Sequence, residues 1–355
     1  MRFIDHPQYV DMVNGIWDGF PHWELFNGKT ILISGASGMI GSLMVDTIMM
    51  RNMALPDKER CGVIALGRDK AVADQRFEPW LNDSDYVFLS HDVTVPFHEI
   101  TIKPDYLIHA ASTTHPLAYL AEPVNTVLTN ILGTRNLLDL AAQSPGSRFL
   151  LVSSVEVYGE NRGDTDSFRE DYCGYLDCNT LRAGYPEGKR ASEALCQAYI
   201  QQCGTDVIII RLPRTYGPTM RMSDSKASAQ FIKKGIAGED IVLKSKGDQL
   251  FSYAHAADAV LGMLWVLACG ERGMAYNLGD PKSDVTLKEL AEITAAHAGT
   301  EVIFELPDMY EKKGYSTATK AILDADRLRQ LGWTPRYDIH TGICETMDII
   351  RELHG

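Results

Sequence analysis

T-I-L-I-S-G-A-S-G-M-I-G, residues Thr30 to Gly41, joins a β-branched apolar run (Ile31, Leu32, Ile33) to glycines at 35, 38 and 41 and then to a helix-like segment. Gly35 permits a tight strand-to-helix turn, Gly38 lets backbone approach an anion, and Gly41 lets the new helix pack on the strand. Backbone N–H groups and the positive end of the helix dipole then face the bound group, commonly a dinucleotide pyrophosphate. The spacing is G-x-x-G-x-x-G, and three glycines alone also fit a bland Gly-rich turn. The rest of the chain has to decide.

Outward from this turn, Ile40 to Asn52 reads as a helix and Gly62 to Leu66 as a second strand. That strand ends on Gly67-Arg68, where a dinucleotide fold commonly places an acid for the ribose 2′-hydroxyl. Arg68 suits a 2′-phosphate, or is an exposed loop charge, so NAD and NADP both stay open. Tyr86 to Leu89 is a third strand followed by Asp92 and Val93, the acid placed to take an adenine amino group. Tyr106 to Ala111 is a fourth, with small residues at its end. Val124, Val127, Leu128 and Ile131 predict a helix with one strongly apolar face. Phe149 to Ser153 and Val207 to Arg211 complete the alternation. The pattern predicts an α/β fold: a Rossmann-type doubly wound parallel sheet with ligands at the strand carboxyl ends.

Residues 1–28 form an N-terminal extension, in which Tyr9, Val13, Ile16 and Trp17 recur at helical spacing. A loosely ordered tail fits that stretch as well. Residues 29–212 read as the dinucleotide-binding domain, with a later segment at about 250–283 returning to it. Residues 213–355 read mainly as a smaller, mixed α/β substrate lobe, and Thr286-Leu-Lys-Glu289 as a capping box within it.

Composition narrows the class. The 355 residues are 45% hydrophobic and 23% charged, ordinary for a globular protein. A net charge of −13 argues against a protein that coats nucleic acid. No apolar run approaches the ~20 residues that span a bilayer, and the first residues carry acids instead of a secretory h-region. Seven cysteines, scattered and without C-x-x-C spacing, fit reduced thiols in a cytoplasm better than a disulfide or metal framework, so no metal site is expected.

Tyr185-Pro-Glu-Gly-Lys189 sets a tyrosine and a lysine four apart, on one helix face. An ammonium near the phenol would favour phenolate, as acid/base work near neutral pH requires. Y-x-x-x-K alone is commonly a solvated helix face. Here it follows, by about thirty residues, a strand ending in S-S-V-E-V-Y-G (153–159), whose Ser154 hydroxyl can bond the same reacting oxygen.

G-A-S-G-M-I-G, H-A-A, S-S-V-E-V-Y-G, Y-P-E-G-K-R and R-L-P-R-T-Y-G-P, in that order, resemble the extended short-chain dehydrogenase/reductase family, in its nucleotide-sugar epimerase, dehydratase and decarboxylase group. The resemblance covers roughly residues 29–350 and includes Y-N-L-G (276–279) and L-G-W-T-P (331–335). It implies Tyr185 as acid/base, Lys189 as ribose holder and tuner of Tyr185, and Ser154 at the catalytic Ser/Thr position. It implies a dinucleotide, NAD with NADP as the alternative, on Gly35, Ser37, Gly38, Met39, Ile40 and Gly41, near Asp92-Val93 and lined by Ala110, Ala111 and Ser112. It also implies a nucleotide-diphosphate sugar as substrate, and a homodimer built on helices around 124–143 and 184–203, where Ala191, Ala194, Leu195 and Ala198 suit close packing.

The chain resembles UDP-glucuronate decarboxylases more closely than dTDP-glucose 4,6-dehydratases. Dehydratases carry Asp-Glu after the catalytic Ser/Thr, whereas this chain has Val155-Glu156, and valine cannot protonate a departing hydroxyl. Glu156 remains as a base or carboxylate handler. Two departures concern diphosphate binding: Arg214 stands where the family has Asn, and Gln249 where it has Arg. Relocation of that contact to Arg214, Lys226 and Lys320 is one explanation; a different nucleotide or sugar is another. Thr113, Thr114 and His115 follow the fourth strand where relatives contact sugar, though His115 beside Pro116 also reads as a structural loop residue. The leading expectation is an NAD(P)-dependent enzyme acting through a transient keto-sugar. A net NADPH-dependent keto-sugar reductase and a non-catalytic dinucleotide-binding scaffold are the alternatives.

Overall fold

Nearly unbroken apolar runs become strands only where both faces are covered. In the computed structural model, which describes residues 1–97, 102–112, 114, 121–305 and 318–354, β1 (Thr30–Ser34) sends Ile31 and Ile33 into one core and Leu32 into the other. β2 (Gly62–Gly67), β3 (Tyr86–Ser90), β4 (Tyr106–His109), β5 (Arg148–Ser154) and β6 (Asp206–Leu212) pair in parallel in the order β6-β5-β4-β1-β2-β3. The order reverses between β1 and β4. That switch point opens a crevice at the strands' carboxyl ends.

One face of the sheet carries α1 (Pro7–Asp18) and α2 (Met39–Asn52), and a short α3 (Lys70–Arg76) follows β2. The other face carries α4 (Pro123–Ala142) and α5 (Gly184–Cys203), packed on each other. The predicted apolar face of α4 is present but points away from the sheet. Val124 and Leu128 are 67% and 38% exposed, while Thr126, Asn130, Gly133, Leu137 and Leu138 turn inward. The first half of that inward stripe uses small and polar residues where α5 crosses close by: a Cβ on Gly188 would lie 3.1 Å from Asn130.

The chain then leaves the sheet and comes back. β7 (Arg214–Tyr216), α6 (Ala227–Ile236), β8 (Ile241–Leu243) and β9 (Leu250–His255) belong to a second lobe with its own core around Phe231, Ile232 and Tyr253. α7 (Ala256–Cys269), buried along almost its whole length, returns to the α2 face, and β10 (Ala275–Asn277) adds to β6 as the seventh parallel strand among the described residues. The second lobe resumes with β11 (Asp284–Thr286), α8 (Leu287–Ala298), β12 (Val302–Phe304) and β13 (Lys320–Ala321); α9 (Asp326–Gln330) packs Leu328 back into the first core beside α7 and β10, and α10 (Ile339–His354) returns Ile343 and Met347 to the second. Thr286 and Glu289 form the capping box at the start of α8. Among the described residues, no helix is long and apolar enough to cross a membrane.

The N-terminal segment is tied down by a buried charge. Asp46 of α2 is fully buried; it accepts from the Tyr9 hydroxyl at 2.6 Å and Trp80 Nε1 at 3.0 Å, and it pairs with the Arg76 guanidinium. Three elements thus share one carboxylate, and removing a partner strands the remaining charges in low dielectric. Asp46→Asn should lower the unfolding free energy by about 3 kcal/mol and Tyr9→Phe by about 1 kcal/mol. Both should appear as reduced urea midpoints with unchanged slope.

Candidate active site

The crevice begins at the glycine turn. Gly35 has φ +70°, and a Cβ there would lie 2.8 Å from the Ala111 backbone; a Cβ on Gly41 would collide with the Gly35 carbonyl oxygen. Gly38 caps α2 and donates its N–H to that same carbonyl at 2.9 Å. The opening N–H groups of α2 have no carbonyl one turn back within the helix, so they face the crevice as donors. Beneath the turn, Ser34 Oγ bonds His109 Nδ1 at 2.8 Å and accepts from Ala111 N at 3.3 Å. Burial, with the charge of Lys189 adding to it, pulls His109 down to about 3, so it is a neutral structural partner. A glycine cradle walled by Ala110 and Ala111, with helix donors at its mouth, fits a dinucleotide.

Just past the carboxyl end of β3, Asp92 accepts from Thr94 N and Oγ1 at 2.9 and 2.8 Å and stands 3.9 Å from Arg68. Burial works against its charge, but Thr94 and then Arg68 outweigh burial and hold it below the usual carboxylate range. Arg68 is largely exposed. The Val93 side chain is buried in the core under α4, and the Val93 carbonyl accepts from Asn136 Nδ2. Ser112 Oγ donates to Asn130 Oδ1 at 3.0 Å.

The structure brings Ser154, Glu156 and Tyr185 together. β5 ends at Ser154, a single 3-10 turn carries Glu156, and Tyr185 lies in the first turn of α5. The Ser154 hydroxyl bonds the Tyr185 phenol. Glu156 Oε1 is held at 2.5 Å by Arg182 Nη2. Arg182 is a site residue missed in the sequence; its place three residues before Tyr185 was the available signal.

Lys189 lies one turn after Tyr185 on α5, with its ammonium turned to a backbone carbonyl. Its Nζ stands 6.0 Å from the ring centroid and donates to the Val152 carbonyl at 2.8 Å. Burial pulls the ammonium down to about 8 against the opposing charge of Glu193. The phenol is correspondingly pushed up, to about 12: burial is the main cause, Glu156 adds to it, and the Ser154 hydrogen bond and Arg182 oppose it. In this state Tyr185 is a neutral phenol.

The remaining candidates sit in the second lobe. The Arg214 guanidinium lies over the Phe251 ring at 3.3 Å, Lys226 precedes α6 and is 3.4 Å from Asp224, and Gln249 accepts from Ser245 Oγ at 3.5 Å. Lys320 on β13 pairs with Asp166 at 3.2 Å. Thr113 and His115 lie outside the described residues.

A parallel sheet in this order, with a glycine turn at its switch point, defines the Rossmann-type dinucleotide-binding class. The chain belongs to the NAD dependent epimerase/dehydratase family, whose pattern matches residues 31–279. It is 30% identical over 328 residues to UDP-glucuronic acid decarboxylase 1 of Xenopus tropicalis, covering 91% of this chain and 72% of that one. The UDP-glucose 4-epimerase of Thermotoga maritima, solved with UDP-glucose, superposes with a TM-score of 0.78 at 20% identity, covering 92% of this chain and 100% of that one. A dTDP-glucose 4,6-dehydratase of Streptomyces venezuelae with NAD bound superposes at 0.75 and 25% identity, covering 91% of this chain and 97% of that one. Fold, enzyme class and NAD as dinucleotide agree with the expectations from sequence.

The two charges flanking Tyr185 have opposite effects on it. Glu156→Gln should lower the apparent pKa that limits hydride transfer from a bound nucleotide sugar, and Arg182→Met should raise it, read as reduced-nicotinamide absorbance against pH. An unchanged pKa in both variants would show that neither charge is coupled to the phenol.

Proposed function

We propose that the chain decarboxylates a UDP-linked hexuronic acid through a transient 4-keto sugar. Glu156 carries this reading: it stands beside Tyr185, paired with Arg182, while the preceding Val155 is buried in the second core and supplies no acid to expel a hydroxyl. The likeness to UDP-glucuronic acid decarboxylases over most of the chain supports it.

In this reading Tyr185 takes the proton of the sugar 4-hydroxyl while the Ser154 hydroxyl holds the same oxygen. NAD on the cradle of Gly35, Ser37, Gly38, Met39, Ile40 and Gly41 supplies the hydride acceptor and, at the end, the donor. The 4-ketone is β to the carboxylate, so the C5–C6 bond breaks, its electron pair moves toward the C4 oxygen and carbon dioxide leaves. C5 then regains a proton before C4 is reduced again. Lys189, anchored on Val152, holds the nicotinamide ribose, and Asp92 the adenine. Arg214, Lys226, Gln249 and Lys320, with Thr113 and His115, are assigned to the nucleotide sugar.

A net NADPH-dependent reductase is the second reading, favoured by Arg68 standing exposed after β2. Dinucleotide released on denaturation separates the two: NAD supports the first, whereas empty protein that oxidises added NADPH supports the second. We further infer a homodimer through the outward apolar face of α4 and the neighbouring surface of α5, where Ala194 and Ala198 are exposed. We also assign the chain to the cytoplasm, supported by its seven free cysteines.

Incubation with UDP-glucuronate should yield a product lighter by one carbon dioxide in mass spectrometry. An unchanged mass would leave epimerisation, and the loss of one water dehydration. Tyr185→Phe should slow turnover by about 10²–10⁴-fold while still retaining NAD. Val124→Asp with Leu128→Asp should convert a dimer to a monomer in light scattering.

A further inference from the structure

Two contacts made by the second lobe on the glycine turn have no part in the chemistry above. Directly after β7 the chain passes through Thr219, Met220 and Arg221. Met220 is buried in the second core and pins this segment in place. Thr219 Oγ1 donates to the Met39 carbonyl at 2.8 Å, and Arg221 reaches the Ser37 carbonyl with Nη2 at 3.2 Å and Nε at 3.4 Å. The carbonyls on either side of Gly38, which caps α2, are therefore both held by residues some 180 positions downstream. Met39 itself packs against the second core, so the mouth of the cradle is gripped from both lobes.

The charges at this contact are unbalanced. The start of α2 carries the positive end of a helix macrodipole, equivalent to roughly +0.5 of a charge, and its first turn contains no acidic residue. A guanidinium beside that terminus is repelled unless an anion lies with it. Arg presents five donors in a planar fork suited to phosphate oxygens, and the Ser37 carbonyl engages two of them. The anion that the cradle admits at this place is a pyrophosphate.

We propose that Arg221, steadied by Thr219, is a clasp from the second lobe that binds the dinucleotide pyrophosphate and retains the cofactor between catalytic cycles. This rests on the dinucleotide reading above and deepens it: the cofactor is held by both lobes. Arg221 touches no reacting atom in this scheme, so its loss acts on binding.

The test compares wild type with Arg221→Met, Arg221→Lys and Thr219→Val for dinucleotide retained through gel filtration. Calorimetric affinities of the stripped proteins for NAD, NADP and UDP are measured alongside. Arg221→Met should weaken NAD and NADP equally, by about tenfold or more, and leave both UDP affinity and the melting temperature of the stripped protein unchanged. Arg221→Lys should recover part of the loss, and Thr219→Val should speed NAD release. NAD retention in Arg221→Met equal to wild type overturns the clasp. So does a loss confined to UDP, which would place Arg221 on the substrate, or one confined to NADP, which would place it on a ribose phosphate. A wild-type chain that binds no dinucleotide would instead remove the dinucleotide reading itself.

Discussion

Two backbones approach each other so closely at the sheet's switch point that no side chain fits between them. Gly35 turns out of β1 against Ala110 and Ala111 at the end of β4, and a methyl group there would stand 2.8 Å from Ala111. Because the turn is this tight, α2 starts at the crevice and points its unsatisfied N–H groups into it. Because alanines follow β4, the crevice stays open along its wall. The Ser34–His109 pair beneath is neutral and buried, so it fixes the floor without adding charge near the cradle.

A second constraint is electrostatic. Tyr185 is buried, and burial disfavours its anion far more than a solvated helix face would. Glu156 stands close enough to add to that cost, and Arg182 offsets it. Lys189 donates to a backbone carbonyl, and burial pulls its ammonium down to about 8. In this state the phenol therefore keeps its proton near neutral pH.

Legibility in the sequence followed contact range. The glycine turn, the alternating strands and the Tyr185–Lys189 spacing are local patterns, and each lies where local rules put it. The apolar stripe at Val124, Val127, Leu128 and Ile131 was visible too, but periodicity gives a face without saying what the face meets. Close crossing by α5 gave the inward side to Asn130 and Gly133 instead. The Lys189 bond to the Val152 carbonyl was not legible, because spacing along a helix places side chains near each other without settling which acceptor a donor meets. Arg182, Asp46 and the contacts on Ser37 and Met39 depend on partners 26 to 184 residues away. No one-dimensional pattern announces them.

The path of the chain between its two lobes has a further bearing. After β6 it crosses to the second lobe, returns as α7 and β10 to finish the large sheet, and crosses again. Neither lobe is a continuous stretch of sequence, so neither can be cut free as a module. α7 cannot settle until the strand before it has been placed, which delays closure of the α2 face until late in synthesis on the ribosome. Exchange of substrate lobes between relatives would require several simultaneous junctions, so new specificity in such a scaffold is more readily reached by changing side chains in place than by shuffling domains.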